Sequence, residues 1–205
     1  MRNYVEQLKE IYGLNTPIFT EEILEVFGDY TRAYVFRIIK KLIDLGELRQ
    51  YTRGVYYFPK KSFFGEATIN SEMVAEKKYI KDLNSVFGIY AGLSLLNKFG
   101  ITTQVPNMIE IVTNNETTRK RTICIRNRNF IIRKSRVPIT EDNYAEYTIL
   151  QLFTELDDND ILDNFSKSLI QRYIKEHRIS KEKIDVLLPY FPKKTKRRMQ
   201  NEKIV

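Results

Sequence analysis

The sequence predicts a protein of the α+β class, and three patterns carry that prediction. Apolar residues recur at helical spacing through most of the first 45 residues, and short alternating runs follow around residues 48–58 and 108–135. Helical spacing then returns in the last third. A chain of 205 residues, 42% of them hydrophobic, is long enough for one large core or two small ones. We expect three parts: a domain over residues 1–60, an α+β domain over 61–140, and a helical region over 141–205 packed on that second domain.

The first sixty residues are predicted to hold three helices. An apolar stripe over residues 2–12 predicts the first. Thr20 is expected to cap the second, because the acids that follow it in EEILEVF suit a helix N-terminus, and Gly28 is placed to end it. The third is predicted over residues 31–45, with Gly46 just beyond its end.

The third helix has two faces of opposite character. At 100° per residue, one arc is apolar and is expected to pack in a core: Val35, Phe36, Ile38, Ile39, Leu42, Ile43 and Leu45. The opposite arc is expected to face solvent: Ala33, Tyr34, Arg37, Lys40, Lys41 and Asp44.

The segment GELRQYTRGVYYFP is typical of a short β-hairpin, with LRQY and VYYF joined at Thr52, Arg53 and Gly54. Three helices followed by such a hairpin predict a winged helix-turn-helix, whose third helix enters the major groove of DNA. Ala33 and Arg37 would then lie on the part of the third helix that reaches the base edges, where Arg37 would hydrogen-bond a guanine. Phosphates would be contacted by Tyr34, Lys40, Lys41, Arg49 and Arg53. A solvated helix face and a protein dock stay open as alternatives, since these sixty residues carry a net charge of only +1.

The formal net charge of +8 is distributed unevenly along the chain. Residues 119–136 hold eight cations and no acid, whereas residues 137–165 hold eight acids and no Lys or Arg. The two blocks either neutralise each other by packing together, or the cations form a second basic surface for nucleic acid or another anionic partner. The cations in question are Arg119, Lys120, Arg121, Arg126, Arg128, Arg133, Lys134 and Arg136.

The middle of the chain is notable for its lack of charge, since residues 88–115 contain only Lys98 and Glu110 as ionised groups. A helix is predicted after Ser71, and another over residues 88–99, where glycines four apart would leave one face as bare backbone. Strands follow at MIEIV, RTICIR and FIIRKS, with Arg128 placed in the turn between the last two. In ITTQVP, short Thr and Gln side chains can hydrogen-bond the backbone, which allows a turn of low charge to be buried. We expect this turn to have a structural role, and direct contact with a partner stays open as the alternative.

The last third is predicted to form four helices. Ser180 is expected to cap the third of these, and Pro192 stands at the start of the fourth, KKTKRRMQNEKI. The acids of LDDNDILD lack the spacing of a calcium loop and are expected to act as helix caps: Asp157, Asp158, Asp160 and Asp163.

Two stretches together resemble a known family. RGVYYFP followed by GIYAGLSLLNKFGITTQVPNMIEIVTNN is similar to the AbiEi family of antitoxins, and the similarity extends over residues 1–140 and more loosely to FPKKTKRRM. The residues that match the family's middle motif are Gly92, Leu93, Ser94, Asn97, Thr102, Thr103, Gln104 and Pro106.

The resemblance implies a role in a toxin-antitoxin, phage-defence system. It implies an N-terminal domain that binds operator DNA and represses its own operon, and a C-terminal part that neutralises a nucleotidyltransferase toxin encoded by an adjacent gene. A transcriptional regulator without a toxin partner and a nucleic-acid nuclease stay open as alternatives.

The chain offers little for catalysis. The lone Cys124, between two isoleucines, is expected to be a buried small side chain, and with His177 as the one histidine we expect no metal site and no cofactor. There is no nucleophile elbow or phosphate loop, and Glu110-Ile-Val lacks the lysine of a nuclease motif. With no apolar run of membrane-spanning length or signal-peptide type, we expect a cytoplasmic protein that is not an enzyme.

Overall fold

The computed structural model describes residues 2–63, 65–157 and 160–202. Helix makes up 46% and strand 19%, so the predicted α+β class is confirmed. The chain divides into two compact units, Met1–Lys77 and Lys78–Val205. The boundaries differ from the three predicted parts, and Asp158, predicted as a cap, lies outside the described residues.

The first unit opens with three helices and a small sheet. The helices are α1 (Arg2–Tyr12), α2 (Thr20–Val26) and α3 (Arg32–Asp44), and the strands are β1 (Ile18–Phe19), β2 (Arg49–Thr52) and β3 (Val55–Tyr57). The strands are antiparallel in the order β1-β3-β2. Side chains from all three helices and the sheet form one core, which includes Leu8, Ile18, Ile23, Val35, Leu42 and Phe58.

The start of α2 differs from the prediction. Thr20 is the first residue of the helix rather than its cap, and both its backbone N–H and its hydroxyl donate to the carbonyl of Gly54, at 3.0 and 3.3 Å. Glu22 takes the capping role instead, because its Oε2 accepts from the backbone N–H of Phe19 at 2.7 Å. The pairing of Phe19 with Val55 on β3 fixes this arrangement.

The first unit extends beyond residue 60 because the next segment packs on it. This segment contains β4 (Lys61–Ser62), β5 (Gly65–Glu66) and the start of α4 (Ser71–Tyr79). The buried ammonium of Lys77 donates to the carbonyl of Pro17 at 2.6 Å and lies 2.7 Å from a carboxylate oxygen of Glu22. Residues that follow the hairpin therefore complete the first unit.

The second unit contains a four-stranded mixed sheet. Its elements are β6 (Gly88–Ala91), α5 (Gly92–Lys98), β7 (Ile109–Thr113), β8 (Lys120–Ile125) and β9 (Arg128–Lys134), and the strand order is β6-β7-β9-β8. β7 and β9 are parallel, and the other neighbours are antiparallel.

The prediction of one helix over residues 88–99 was wrong in its first third. Residues 88–91 form a strand that pairs with β7, with Ile89 opposite Val112. The helix α5 does not begin until Gly92. Gly88 does allow the close backbone approach that was expected of it. A Cβ at Gly88 would lie only 2.0 Å from the carbonyl oxygen of Tyr79.

The C-terminal helices share one core with this sheet. They are α6 (Tyr144–Glu155), α7 (Asn164–Glu176), α8 (Lys181–Leu187), a 3₁₀ turn (Leu188–Tyr190) and α9 (Lys193–Glu202). Almost all of α6 is buried, and it contacts β6, α5, α8 and α9. The predicted cap of α8 is confirmed, since Ser180 accepts from Lys183 N–H at 3.3 Å, and Asp163 likewise accepts from Ser166 N–H at 2.7 Å.

The turn at ITTQVP is held by side chains but is not buried. Asn97 Nδ2 donates to the carbonyl of Thr102 at 3.1 Å, and Thr102 Oγ1 accepts from the N–H of Gln104 at 3.1 Å. The tip nevertheless faces solvent, with Val105 82% exposed, so the expectation of burial was wrong. Cys124 is likewise exposed on the outermost strand β8, contrary to prediction.

Candidate nucleic-acid interface

The orientation of α3 is fixed at its start and along its inner face. Thr31 caps the helix, with Oγ1 accepting from Tyr34 N–H at 3.4 Å. The buried inner face consists of Val35, Ile38, Ile39 and Leu42. Because these four residues point into the core, the opposite arc of the helix points to solvent.

Every residue that the sequence placed on the outer arc of α3 is exposed: Ala33, Tyr34, Arg37, Lys40, Lys41 and Asp44. Arg37 lies one helical turn after Ala33, and Lys41 one turn further. In the part of the chain that the structure describes, no carboxylate forms an ion pair with Arg37, Lys40 or Lys41. Their positive charge is therefore available to an external anion.

The predicted apolar arc of α3 is too wide at both ends. Phe36 is 40% exposed and Leu45 is 59% exposed, although both were expected in the core. The guanidinium of Arg32 lies 5.5 Å from the centre of the Phe36 ring. Arg32 adds a further cation to the exposed part of α3, and its spacing of four residues from Phe36 was the signal that could have identified it.

Tyr34 belongs to an aromatic cluster at the start of α3. Its ring centre lies 5.1 Å from that of Tyr30, and the Tyr4 hydroxyl donates to the Tyr30 hydroxyl at 3.4 Å. The hydrogen bond to Tyr30 is the main cause that raises the pKa of Tyr4. The cluster leaves Tyr34 partly exposed at the edge of the outer arc.

The two arginines of the β2–β3 hairpin have different surroundings. Arg53 is exposed in the turn, next to Gly54, whose φ of +77° favours a residue without a side chain. Arg49 instead forms a double hydrogen bond with Glu66, at 3.1 and 3.2 Å. Its guanidinium is already engaged by a carboxylate, so Arg53 is the better candidate for a phosphate contact.

The eight cations of residues 119–136 have different surroundings in the second unit. Arg121 pairs with the buried Glu116, and Arg128, the first residue of β9, donates to the carbonyl of Pro106 at 3.2 Å. The turn before β9 contains Arg126, with a φ of +52°, and not Arg128 as predicted. The other five lie around one cavity: Arg119, Lys120, Arg133, Lys134 and Arg136.

The other residues that line this cavity were not among the candidates identified from the sequence. They are Glu110 and Val112 from β7, and Tyr147, Gln151 and Glu155 from α6. The three residues of α6 stand at intervals of four, which places them on one stripe of the helix. That spacing is the signal through which they could have been found.

No arrangement for catalysis or metal binding is evident in the described ranges. His177 Nδ1 lies 3.2 Å from the Tyr144 hydroxyl, and its ring is packed against Tyr173. Residues 2–63, 65–157 and 160–202 contain no group of three potential metal ligands among His, Cys, Asp and Glu. Over the same residues, no helix has the length and apolar character needed to cross a membrane.

Comparison with known families places most of the chain in a family. The family described as "Family of unknown function (DUF6088)" matches residues 16–183, which is most of the chain and spans both units. The chain therefore belongs to this family. A comparison with curated proteins gives no significant match.

Proposed function

We propose that this DUF6088 protein is a DNA-binding autorepressor and antitoxin. Its first unit binds operator DNA as a winged helix-turn-helix, and its second unit neutralises a nucleotidyltransferase toxin encoded by an adjacent gene. The observation that carries the DNA-binding half of the proposal is the outer arc of α3, whose cations Arg37, Lys40 and Lys41 have no acid partner in the described part of the chain.

The order of elements in the first unit supports the DNA-binding half of the proposal. The chain runs helix, strand, helix, helix, strand, turn and strand, and the hairpin strands join β1 in one antiparallel sheet. This order is typical of a winged helix, in which the last helix enters the major groove and the hairpin lies along the DNA backbone. Arg37 would hydrogen-bond a guanine, and the small Ala33 would allow close approach.

The test is binding to the DNA upstream of the protein's own operon. Fluorescence anisotropy with labelled duplexes gives the affinity for that sequence and for scrambled controls. Arg37→Ala should reduce the preference for the operator by about 1 to 3 kcal/mol, as the loss of a bidentate base contact does. Lys60→Ala, which removes an exposed cation outside α3 and the hairpin, should keep the preference. If Arg37→Ala keeps the same preference for the operator as the unchanged protein, the base-reading role of Arg37 is excluded.

The antitoxin half rests on the resemblance of residues 88–115 to AbiEi antitoxins and on the separate core of the second unit. Two motif residues, Asn97 and Thr102, hold the backbone of the turn. These hydrogen bonds give Asn97 and Thr102 a role in folding the turn, so their presence in the motif needs no contact with a toxin. We expect the toxin-binding residues elsewhere in the second unit.

Growth rescue tests this half. The full chain, expressed with the adjacent gene, should restore growth that the adjacent gene alone inhibits. Arg37→Ala should rescue as well as the unchanged protein, because α3 belongs to the first unit. Operator binding without rescue would reject the antitoxin role and leave a transcriptional regulator.

A further inference from the structure

We propose that the cavity in the second unit binds a small ligand with a polyphosphate group, such as a nucleoside triphosphate. The cavity has a volume of about 460 Å³. All of its lining residues fall between Glu110 and Glu155, so the site belongs to the second unit alone. The α3 surface proposed to bind DNA belongs to the first unit.

Two walls form the cavity. Val112, Arg133 and Lys120 stand side by side across β7, β9 and β8, because Arg133 is in register with both of the others. Directly paired residues place their side chains on the same face of a sheet. The second wall is the stripe of α6 that carries Tyr147, Gln151 and Glu155.

Both acids in the lining are paired with the same arginine. Arg133 Nη1 donates to Glu155 at 2.9 Å and to Glu110 at 3.1 Å, and Gln151 Nε2 also donates to Glu155. These side chains are largely shielded from solvent, with Arg133 only 25% exposed. One arginine thus contacts both carboxylates, and these three side chains together keep one negative charge. The five cations and two carboxylates of the lining therefore sum to a net charge of +3.

The remaining cations stand exposed around the cavity. Arg119, Lys120 and Lys134 form no ion pair with any carboxylate in the described ranges. Arg136 stacks its guanidinium at 5.5 Å from the centre of the Phe191 ring, and its backbone N–H donates to the Tyr147 hydroxyl at 2.9 Å. These two interactions hold Arg136 beside α6.

The net charge of the cavity lining indicates how many phosphate groups the ligand carries. The lining contains five cations and two carboxylates. A single phosphate monoester carries about −1.5 to −2 at neutral pH, so it would leave part of this charge uncompensated. A chain of two or three phosphates matches the lining better.

Size and shape favour a small molecule over a nucleic acid. A volume of 460 Å³ falls within the range of roughly 300 to 1,000 Å³ typical of small-ligand sites, and it exceeds what a phosphate chain alone would fill. Five cations line one concavity, whereas proteins that bind a nucleic-acid backbone spread them along a stripe.

Isothermal titration calorimetry of the full chain provides the test, with sodium tripolyphosphate and ATP as probes at constant ionic strength. We expect binding at one site per chain. The double variant Lys120→Gln/Lys134→Gln should weaken it by about tenfold for each charge-assisted hydrogen bond that the substitutions remove. The matched control Lys193→Gln/Lys194→Gln removes two exposed cations of α9 that do not line the cavity, and it should change the affinity less than about twofold. Melting temperatures of both variants establish that they are folded.

Absence of one-site binding for both probes would overturn the proposal, and so would equal weakening by the cavity variant and the control. Lys120→Gln/Lys134→Gln should retain operator binding, and Arg37→Ala should retain tripolyphosphate binding. A third outcome is that tripolyphosphate does not bind the unchanged protein and that Lys120→Gln/Lys134→Gln abolishes binding to duplex DNA. That outcome would assign these lysines to nucleic-acid binding and reject the small-ligand site.

Discussion

The guanidinium of Arg133 and the carboxylate of Glu155 form an ion pair of 2.9 Å that joins the basic and acidic blocks of the chain. The sequence left open whether the two blocks neutralise each other. The structure shows limited pairing, because Arg119, Lys120, Lys134 and Arg136 meet no carboxylate within the described residues. These four cations are therefore available to a ligand or partner.

Arg133 should stabilise the second unit through its ion pairs with Glu155 and Glu110. Burial opposes its ionised form, but the Glu155 and Glu110 carboxylates outweigh burial and raise its pKa above the usual value. Arg133→Met leaves two partly buried carboxylates unpaired, so the free energy of unfolding should fall by about 2 to 3 kcal/mol, somewhat below the cost of breaking a fully buried pair. Urea denaturation measures this change in the free energy of unfolding. Lys120→Met is the control and should stay within about 0.5 kcal/mol, as exposed substitutions do; equal losses would contradict the structural role of Arg133.

Glu116 should make stability depend on acidity. Burial raises its pKa, but the N–H and hydroxyl of Thr118 and the Arg121 guanidinium outweigh burial and lower the pKa from its usual 4.5 to about 2. A depressed pKa gives stability that is present above pH 4.5 and is lost as the pH falls towards 2.

The matching variant is Glu116→Gln. At pH 7 it should unfold about 1 to 3 kcal/mol more easily than the unchanged protein, since the charged acceptor of several hydrogen bonds is gone. The difference should shrink between pH 4.5 and 2. Chemical denaturation at pH 7, 5 and 3 measures it, and a constant difference across that series would refute the assignment.

Local spacing was sufficient to predict α3 but not its exact width. The helix begins and ends within a residue of the prediction, and its four central apolar residues are buried. Phe36 and Leu45 lie at the two edges of the apolar arc, where exposure depends on what packs beside the helix. Periodicity contains no information about those neighbours.

Errors arose where a residue depends on a partner distant in sequence. Residues 88–91 form a strand because β7 supplies the ladder, and Thr20 does not take its expected cap position because β1 pairs with β3. The cavity likewise depends on α6 lying beside β9, which brings Glu155 to Arg133. The charge blocks were visible in the sequence, but it did not show that five of the cations and Glu155 line one cavity.

The ion pair of the buried Lys77 with the partly buried Glu22 should be essential to the first unit. Lys77 is 9% exposed, and its ammonium also donates to the carbonyl of Pro17. Lys77→Met removes both contacts and leaves the Glu22 carboxylate without its cation, so unfolding of the first unit should become easier by about 2 to 4 kcal/mol. Lys78→Met, at the exposed neighbouring position, should have little effect. Thermal unfolding followed by circular dichroism compares the two, and a harmless Lys77→Met would remove residues 61–77 from the essential part of the unit.

The two arginines of the hairpin should differ in their effect on DNA binding. Each phosphate contact contributes about 0.9 to the slope of the logarithm of affinity against the logarithm of salt concentration. Arg53 is exposed in the turn, so Arg53→Ala should lower that slope by about one unit and weaken all sequences alike. Arg49 is held by Glu66 at 2.9 Å, so Arg49→Ala should leave the slope unchanged. Anisotropy titrations over a series of salt concentrations measure both slopes. A sequence-selective loss for Arg53→Ala, or a reduced slope for Arg49→Ala, would show that the hairpin meets DNA through a different arginine or in a different way.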